Sequence, residues 1–93
     1  VYVVGGGNSA GQGAVYLSKY AKKVTILIRK EDLTSTMSSY LIDQIKGISN
    51  IEVLGNHEVI EACGNGHLQR LVLENVAEKS RASVEADALF IFI

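Results

Sequence analysis

The first thirty residues show two changes in the spacing of apolar positions. Residues 1–4 and 24–28 are short, β-branched apolar runs, as in strands that are buried on both faces. Between them, residues 9–20 place apolar side chains at helical spacing, and lysines gather near the end of this segment. A strand, a helix and a strand within about thirty residues have the length of one βαβ unit.

The same reasoning predicts a second helix over residues 32–46, which Asp32 or Thr34 could cap and which Gly47 would end. Apolar residues repeat there at every fourth position: Leu33, Met37, Leu41 and Ile45. The apolar run at residues 51–54 follows as a third strand. Helices between consecutive strands indicate a parallel sheet with right-handed crossovers.

After residue 55 the helical spacing gives way to alternation in twos. A Gly-Asn-Gly turn at residues 64–66 separates two alternating runs and predicts an antiparallel hairpin. A polar stretch at residues 77–82 precedes a short strand, and the wholly apolar last residues predict a buried strand beside the first one. The strands predicted in this half cover residues 57–63, 67–76, 83–85 and 88–93.

The turn after the first strand carries the candidate binding chemistry. Gly5, Gly7 and Ala10 match the dinucleotide-binding pattern G-x-G-x-x-G/A, in the strand-to-helix context that the pattern requires. Gly5 permits a sharp turn, Gly7 permits a close approach to a pyrophosphate, and Ala10 keeps the helix near the sheet. Unpaired N–H groups at the helix start would face the anion. The predicted pyrophosphate site comprises Gly5, Gly6, Gly7, Asn8, Ser9 and Ala10.

These elements together predict an α/β fold. We expect a Rossmann-like, three-layer domain with a parallel βαβαβ sheet, an inserted antiparallel β-meander and a final parallel strand. Residues 1–93 suffice for one small domain. Because the chain opens and closes on predicted core strands, we expect it to be a domain excised from a larger protein.

The composition limits the partners more than the fold. With 47% hydrophobic residues, 20% charged residues and a net charge of −1, nothing suggests nucleic acid or a membrane surface as a partner. The single cysteine, Cys63, excludes a disulfide or a C-x-x-C pair within these residues and agrees with a cytoplasmic location. We predict no metal site and no catalytic residue, because the two histidines lack a ligand pattern and no nucleophile-base arrangement is evident.

The end of the second strand bears on which dinucleotide binds. NAD sites place an acidic residue there to accept hydrogen bonds from the ribose, whereas this chain has Arg29 and Lys30. Two cations suit the 2′-phosphate of NADP(H), which arginine can bind in bidentate fashion, so we favour NADP(H) over NAD(H). Two alternatives stay open. Both cations could be solvated loop residues before a helix, with Glu31 and Asp32 as intrahelical or capping partners, or either acid could reach the ribose.

Four segments are specific enough to suggest a family: residues 5–10, 16–18, 24–30 and 88–93. Together with the meander, they resemble the NADPH-binding domain of thioredoxin reductases, which are FAD-dependent pyridine nucleotide-disulfide oxidoreductases. The resemblance extends over essentially the whole chain. It implies one NAD(P)H-binding domain of a larger flavoprotein, with the FAD held by another domain of the same polypeptide and not by these residues.

The resemblance also implies a role for this domain in electron transfer. The chain would position the nicotinamide so that its hydride reaches the flavin, which then reduces a C-x-x-C disulfide outside these residues. Arg29 and Lys30 match the two arginines of the family motif H-R-R-x-x-x-R, which hold the 2′-phosphate. The resemblance further implies a thioredoxin-like acceptor and a homodimeric parent enzyme. It also implies that the 93 residues alone have no reductase activity.

The match to the family is incomplete at four positions. Ile28 replaces the histidine of the motif, and Thr34 replaces its last arginine. Gln12 and Gly13 replace a usually acidic pair, as in a divergent branch described as thioredoxin reductase-like. The alternative hypothesis is a non-enzymatic, NAD(P)-sensing regulatory domain on the same fold. A methyltransferase that uses S-adenosylmethionine is disfavoured, because those sites commonly place an acid where Arg29 stands.

Overall fold

The computed structural model describes residues 1–92, which form two sheets and two helices. Neither helix combines the length and the apolar character needed to cross a membrane. In chain order the elements are β1 (Tyr2–Val4), α1 (Asn8–Leu17), β2 (Val24–Leu27), α2 (Ser39–Lys46), β3 (Ile51–Leu54), β4 (His57–Gly64), β5 (Leu68–Asn75), β6 (Ser80–Glu85) and β7 (Leu89–Ile91).

The parallel sheet has the strand order β3-β2-β1-β7, and all neighbouring strands in it run parallel. The last strand therefore lies beside the first, as the sequence predicts. From β1 the chain continues to β2 and β3 on one side and returns to β7 on the other. The carboxyl end of β1 is thus a topological switch point, where ligands commonly bind in open α/β sheets.

The parallel sheet is covered on both faces, and by different layers. On one face a cluster with Val3 and Ile26 packs against buried side chains of the helices, including Ala10 and Leu41. On the other face Leu27 packs with Leu71 of the antiparallel sheet. The successive residues Ile26 and Leu27 point to opposite faces, as the period of a strand requires. The three-layer α/β fold with an inserted meander is confirmed.

The antiparallel sheet has the strand order β4-β5-β6, with β5 in the centre. The hairpin predicted around residues 64–66 joins β4 to β5. The prediction of a short β6 at residues 83–85 is wrong, since β6 begins at Ser80 and pairs with β5 from there to Glu85. The first residues of β6 are exposed and polar because this edge strand has solvent on its outer face, so the apolar signal misses them.

The predicted helix over residues 32–46 is only half correct, because α2 begins at Ser39. Neither Asp32 nor Thr34 caps it. The N-cap is Ser38, which has an extended backbone and whose hydroxyl accepts a 3.4 Å hydrogen bond from the N–H of Leu41. Asp32 and Thr34 instead bond to each other, and such short side-chain bonds compete with the helical backbone.

The final strand is less buried than the apolar sequence predicts. Phe90 and Ile91 are 40% and 63% exposed, because β7 lies at the edge of the parallel sheet and has one neighbouring strand, β1. The prediction of a fully buried strand is therefore wrong for these two residues. The predicted strand also includes Ile93, which lies outside the described residues.

Candidate functional site

The turn after β1 requires glycine at Gly5 for two reasons. Its φ of +141° lies in a region that other residues rarely adopt. A Cβ at this position would also lie 2.5 Å from the carbonyl oxygen of Phe92 and 3.1 Å from the Cβ of Ala10. Gly5 therefore lets the chain leave β1 sharply while Phe92, which follows β7, and the helix α1 stay close.

The start of α1 is open to an anion. Gly7 is the N-cap residue, with an extended backbone (φ −89°, ψ 177°) and no side-chain hydrogen bond to the helix. The first turn contains no acidic residue, and a Cβ added to Gly7 would meet nothing within 4 Å. The N–H groups of a first helical turn have no partner inside the helix, so an anion here would find donors and the positive end of the dipole.

The other residues of the predicted loop have different surroundings. Ala10 is 1% exposed and packs in the core between α1 and the sheet. Asn8 and Ser9 are exposed. The side-chain oxygen of Asn8 accepts a 2.8 Å hydrogen bond from the N–H of Ser38, the residue that caps α2. Asn8 thus joins the starts of the two helices.

A threonine that sequence reasoning missed supports the glycine turn. The hydroxyl of Thr36 donates a 2.6 Å hydrogen bond to the carbonyl oxygen of Gly6. A Cβ at Gly6 would lie 2.9 Å from the same hydroxyl oxygen. The two residues are thirty positions apart, and their contact depends on the non-helical path of the segment before α2, so no spacing in the sequence indicates it.

A cleft of about 450 Å³ opens at the carboxyl edge of the parallel sheet, next to the glycine turn. Its walls are mostly apolar, and its charged residues are two cations and one carboxylate. Gly5, Gly6, Arg29 and Lys30 line it, whereas the remaining predicted loop residues, 7–10, are not among its lining residues. The lining residues are Val4, Gly5, Gly6, Leu27, Ile28, Arg29, Lys30, Thr36, His57, Glu58, Val59, Leu89 and Ile91.

The carboxylate in the cleft is paired with Arg29. The Nε atom of Arg29 lies 2.8 Å from Oε2 of Glu58, which is the second residue of β4. Arg29 is thus paired with Glu58 rather than with Glu31 or Asp32, and its side chain is 75% exposed, as expected for a solvated loop residue. The carboxylate of Asp32 accepts bonds from the hydroxyl and the N–H of Thr34, and these bonds lower its pKa below the usual value.

Backbone hydrogen bonds hold the start of β4 against the end of β2. The N–H of Asn56 donates to the carbonyl oxygen of Lys30, and the N–H of His57 donates to that of Ile28. Each donor–acceptor distance is 2.8 Å. Asn56 has a positive φ of 59°, and Nδ1 of His57 lies 2.7 Å from the carbonyl oxygen of Gly55. Sequence reasoning missed His57 and Glu58 as cleft residues, because only the docking of the meander brings them to β2.

The described residues offer binding groups rather than metal ligands. In residues 1–92 we find no group of three or more His, Cys, Asp or Glu side chains that could hold a metal ion. Cys63 is a half-buried free thiol near the far end of β4 and does not line the cleft. The cleft therefore combines two cations, one carboxylate and apolar walls, and the open backbone donors at the start of α1 follow the glycines that line it.

The fold and its glycine turn define the class of Rossmann-like α/β domains. Residues 1–80 match the model of the family described as pyridine nucleotide-disulphide oxidoreductase. A thioredoxin reductase of Mycoplasma genitalium is 40% identical over 93 residues, which are 100% of this chain and 29% of that protein. The "34.2 kDa protein in rubredoxin operon" of Clostridium pasteurianum is 33% identical over 91 residues, 98% of this chain and 29% of that protein.

A solved structure gives the same result. The thioredoxin reductase of Streptococcus pyogenes MGAS5005 superposes with a TM-score of 0.94 and 30% identity, over 99% of this chain and 30% of that one. The chain therefore belongs to the pyridine nucleotide-disulphide oxidoreductase family and is thioredoxin reductase-like. It spans 29% of the length of the two curated relatives above.

Proposed function

We propose that this chain binds NADP(H) as the pyridine-nucleotide domain of a thioredoxin reductase-like, FAD-dependent disulfide oxidoreductase. The observation that carries the proposal is the open start of α1 behind Gly7, directly beside a cleft that presents Arg29 and Lys30. In a chain of this family, that combination is suited to a nucleotide with two phosphate-bearing regions.

The glycine turn would hold the pyrophosphate. N–H groups of the first turn of α1 would donate to its oxygens, and the dipole of the ten-residue helix would favour the negative charge. Gly7 keeps the approach free, since it adds no side chain at the open surface. The bond from Thr36 to Gly6 would keep the turn in one conformation before the ligand arrives, which reduces the entropy lost on binding.

The cations at the end of β2 would contact the 2′-phosphate of NADP(H). Hydrogen bonds to charged groups contribute about 1.5–3 kcal/mol each, and solvent reduces that contribution at an exposed site. The side chain of Arg29 is 75% exposed, so we expect a preference for NADP(H) of moderate size. Lys30 would act as a second point charge at the same end of the cleft.

The apolar walls of the cleft would take a flat ring of the nucleotide. Val4, Leu27, Val59 and Leu89 offer apolar surface beside the glycine turn. When bound, NADPH supplies a hydride to a flavin that we place in another domain of the same polypeptide. The residues of this chain would hold and orient the nucleotide and would exclude water from its apolar ring.

We further propose the partners that the family suggests. These are the FAD domain of the same polypeptide, a thioredoxin-like acceptor and a second copy of the parent enzyme in a homodimer. In the relatives the matching region is 29% of the polypeptide, which is compatible with such an arrangement. A cytoplasmic location likewise stays a prediction from the single cysteine.

Substitution of Gly7 tests the proposed pyrophosphate site. Gly7→Val should abolish binding of both NADPH and NADH in calorimetric titrations, because a branched side chain would occupy the path of the pyrophosphate. The fold should survive, because the backbone of Gly7 is extended and its Cβ direction is open. Circular dichroism and chemical unfolding would verify that the variant is folded.

Gly47→Val is the matched control. Gly47 ends α2 with φ −81°, and a Cβ there would make ordinary contacts of 3.5 Å and 3.7 Å. This variant should bind both nucleotides like the wild type. Normal nucleotide binding by a folded Gly7→Val variant would contradict the proposed site, and a wild type that binds neither nucleotide would contradict the proposed function.

A further inference from the structure

The ion pair between Arg29 and Glu58 places a negative charge inside the proposed nucleotide site. Both residues line the cleft, and the distance between Nε of Arg29 and Oε2 of Glu58 is 2.8 Å. The Glu58 side chain is 30% exposed and the Arg29 side chain 75% exposed, so the carboxylate is the more sheltered partner. A ligand that reaches Arg29 must therefore approach a carboxylate as well.

Glu58 is held in this place by the backbone rather than by Arg29. The residue before it, His57, donates its N–H to the carbonyl oxygen of Ile28, and Asn56 donates to that of Lys30. The next residue, Val59, continues in register with Leu73 of β5. The backbone of Glu58 is thus fixed beside the end of β2, and its carboxylate lies within reach of Arg29 there.

The other carboxylates near the end of β2 are placed differently. Asp32 is engaged by Thr34 through two hydrogen bonds, of 2.6 Å and 3.0 Å. Neither Asp32 nor Glu31 is among the residues that line the cleft. Glu58 is therefore the carboxylate that acts on Arg29 in the described part of the site, although the two residues are far apart in the chain.

We infer that Glu58 is a specificity-determining residue, whose carboxylate competes with the 2′-phosphate of NADP(H) for Arg29 and thereby lowers the preference for NADP(H) over NAD(H). This inference rests on the proposed function. A dianionic phosphate that binds Arg29 must displace the carboxylate from it, so the attraction between Arg29 and Glu58 is lost on binding. NAD(H), whose ribose carries an uncharged hydroxyl at that position, can bind without breaking this ion pair.

The test compares two neutralising substitutions in the intact protein. Calorimetric titration would give dissociation constants for NADPH and NADH with the wild type, Glu58→Gln and Glu52→Gln. Glu52 is the matched control, because it forms a surface ion pair with Lys23 and does not line the cleft. The distance between Nζ of Lys23 and Oε1 of Glu52 is 3.0 Å. Glutamine keeps the size of each side chain and removes its charge.

Glu58→Gln should tighten NADPH binding by about two- to fivefold, the range of a charge interaction at a solvent-exposed site, and change NADH binding by much less. Glu52→Gln should leave the ratio of the two constants unchanged. In an Arg29→Ala background the effect of Glu58→Gln on NADPH should nearly vanish, because the competition acts through Arg29.

The possible failures are distinguishable. Unchanged or weaker NADPH binding by Glu58→Gln would overturn the inference, and the weaker result would show that Glu58 orients Arg29 for the phosphate. An effect that persists without Arg29 would also overturn it. If the wild type binds both nucleotides, these outcomes leave the proposed function intact, whereas a wild type that binds neither removes the function and the inference together.

Discussion

Gly5 and Gly7 lie two positions apart in one turn and are glycine for different physical reasons. Gly5 needs the absence of a Cβ for the fold itself, through its φ of +141° and the nearby carbonyl of Phe92. Gly7 has an ordinary extended backbone and open space in the direction of a Cβ. The fold alone does not require glycine at position 7, so a ligand that approaches the backbone there would explain it.

Stability measurements separate the two glycines. Gly5→Ala should lower the free energy of unfolding by about 1–3 kcal/mol, because it adds both backbone strain and a close contact. Gly7→Ala, as the matched control, should change it by less than about 0.5 kcal/mol. Urea denaturation of both variants measures this, and equal losses of stability would contradict the different roles.

In the segment over residues 32–46, the helical spacing of apolar residues extends beyond the helix itself, which covers only Ser39–Lys46. Leu33, Met37, Leu41 and Ile45 are all buried, as their spacing predicts. Only the last two lie in α2, while the first two are aligned by a single turn in which Met37 donates to the carbonyl oxygen of Leu33 over 3.0 Å. The hydroxyl-rich residues between them bond to Asp32 and Gly6 instead of continuing a helix.

The titration of Asp32 tests the conformation of this segment. The Thr34 hydroxyl and N–H stabilise the carboxylate, so its pKa in the folded state should lie below that in the unfolded chain. The resulting stabilisation is present above the unfolded pKa and is lost as the pH falls through the folded pKa. NMR titration should show a higher pKa of Asp32 in Thr34→Val than in the wild type, because this substitution removes the hydroxyl that donates to the carboxylate.

Thr36→Val is the control for that titration. Thr36 lies in the same segment but donates its hydroxyl to Gly6, so its replacement should leave the pKa of Asp32 where it is in the wild type. The same pKa in Thr34→Val and in the wild type would show that the bond from the Thr34 hydroxyl does not hold the carboxylate in solution.

At the scale of the whole molecule, the meander serves the site as well as the core. Leu71 and Leu73 of β5 cover the face of the parallel sheet that the helices leave open. The same docking brings the start of β4, with His57 and Glu58, to the mouth of the cleft. A layer that buries apolar surface thus also sets the charge next to Arg29.

We propose that the 93 residues bind NADPH but do not reduce disulfides. They contain one cysteine, so they offer no dithiol pair, and we place the flavin in another domain. The rate of NADPH consumption in the presence of an added disulfide substrate is measured by absorbance. It should not exceed the rate in a sample without protein. NADPH-dependent disulfide reduction by this chain alone would contradict the division of labour.

The longer, flavin-containing polypeptide that we propose would allow the complementary measurement. A flavin spectrum that NADPH bleaches under anaerobic conditions would support the reductase assignment. A parent that binds the nucleotide and contains no flavin would instead favour the non-enzymatic, NAD(P)-sensing regulatory domain.

The order of the elements could be predicted because it depends on local periods. Ile26 and Leu27 lie in a fully apolar run, typical of a strand covered on both sides, and the structure gives that strand two different covering layers. The predicted boundaries of helices and strands are wrong where a side chain forms a local hydrogen bond instead of the regular backbone structure, as at Asp32. They are also wrong where an edge strand is polar, as at Ser80. The prediction that Ile91 is buried is wrong because apolar character does not indicate which strand lies at the edge of a sheet.

The glycine turn, the α/β layout and the two cations after β2 could be read from the sequence, because each depends on neighbours within a few positions or on a regular period. The groups that contact them depend on tertiary packing. The bond from Thr36 to Gly6 spans 30 positions, and the ion pair between Arg29 and Glu58 spans 29. Contacts at such separations depend on how sheets and loops pack, and no local spacing encodes them. The turn therefore indicates a nucleotide, while the packing of β4 sets the charge that this nucleotide would meet.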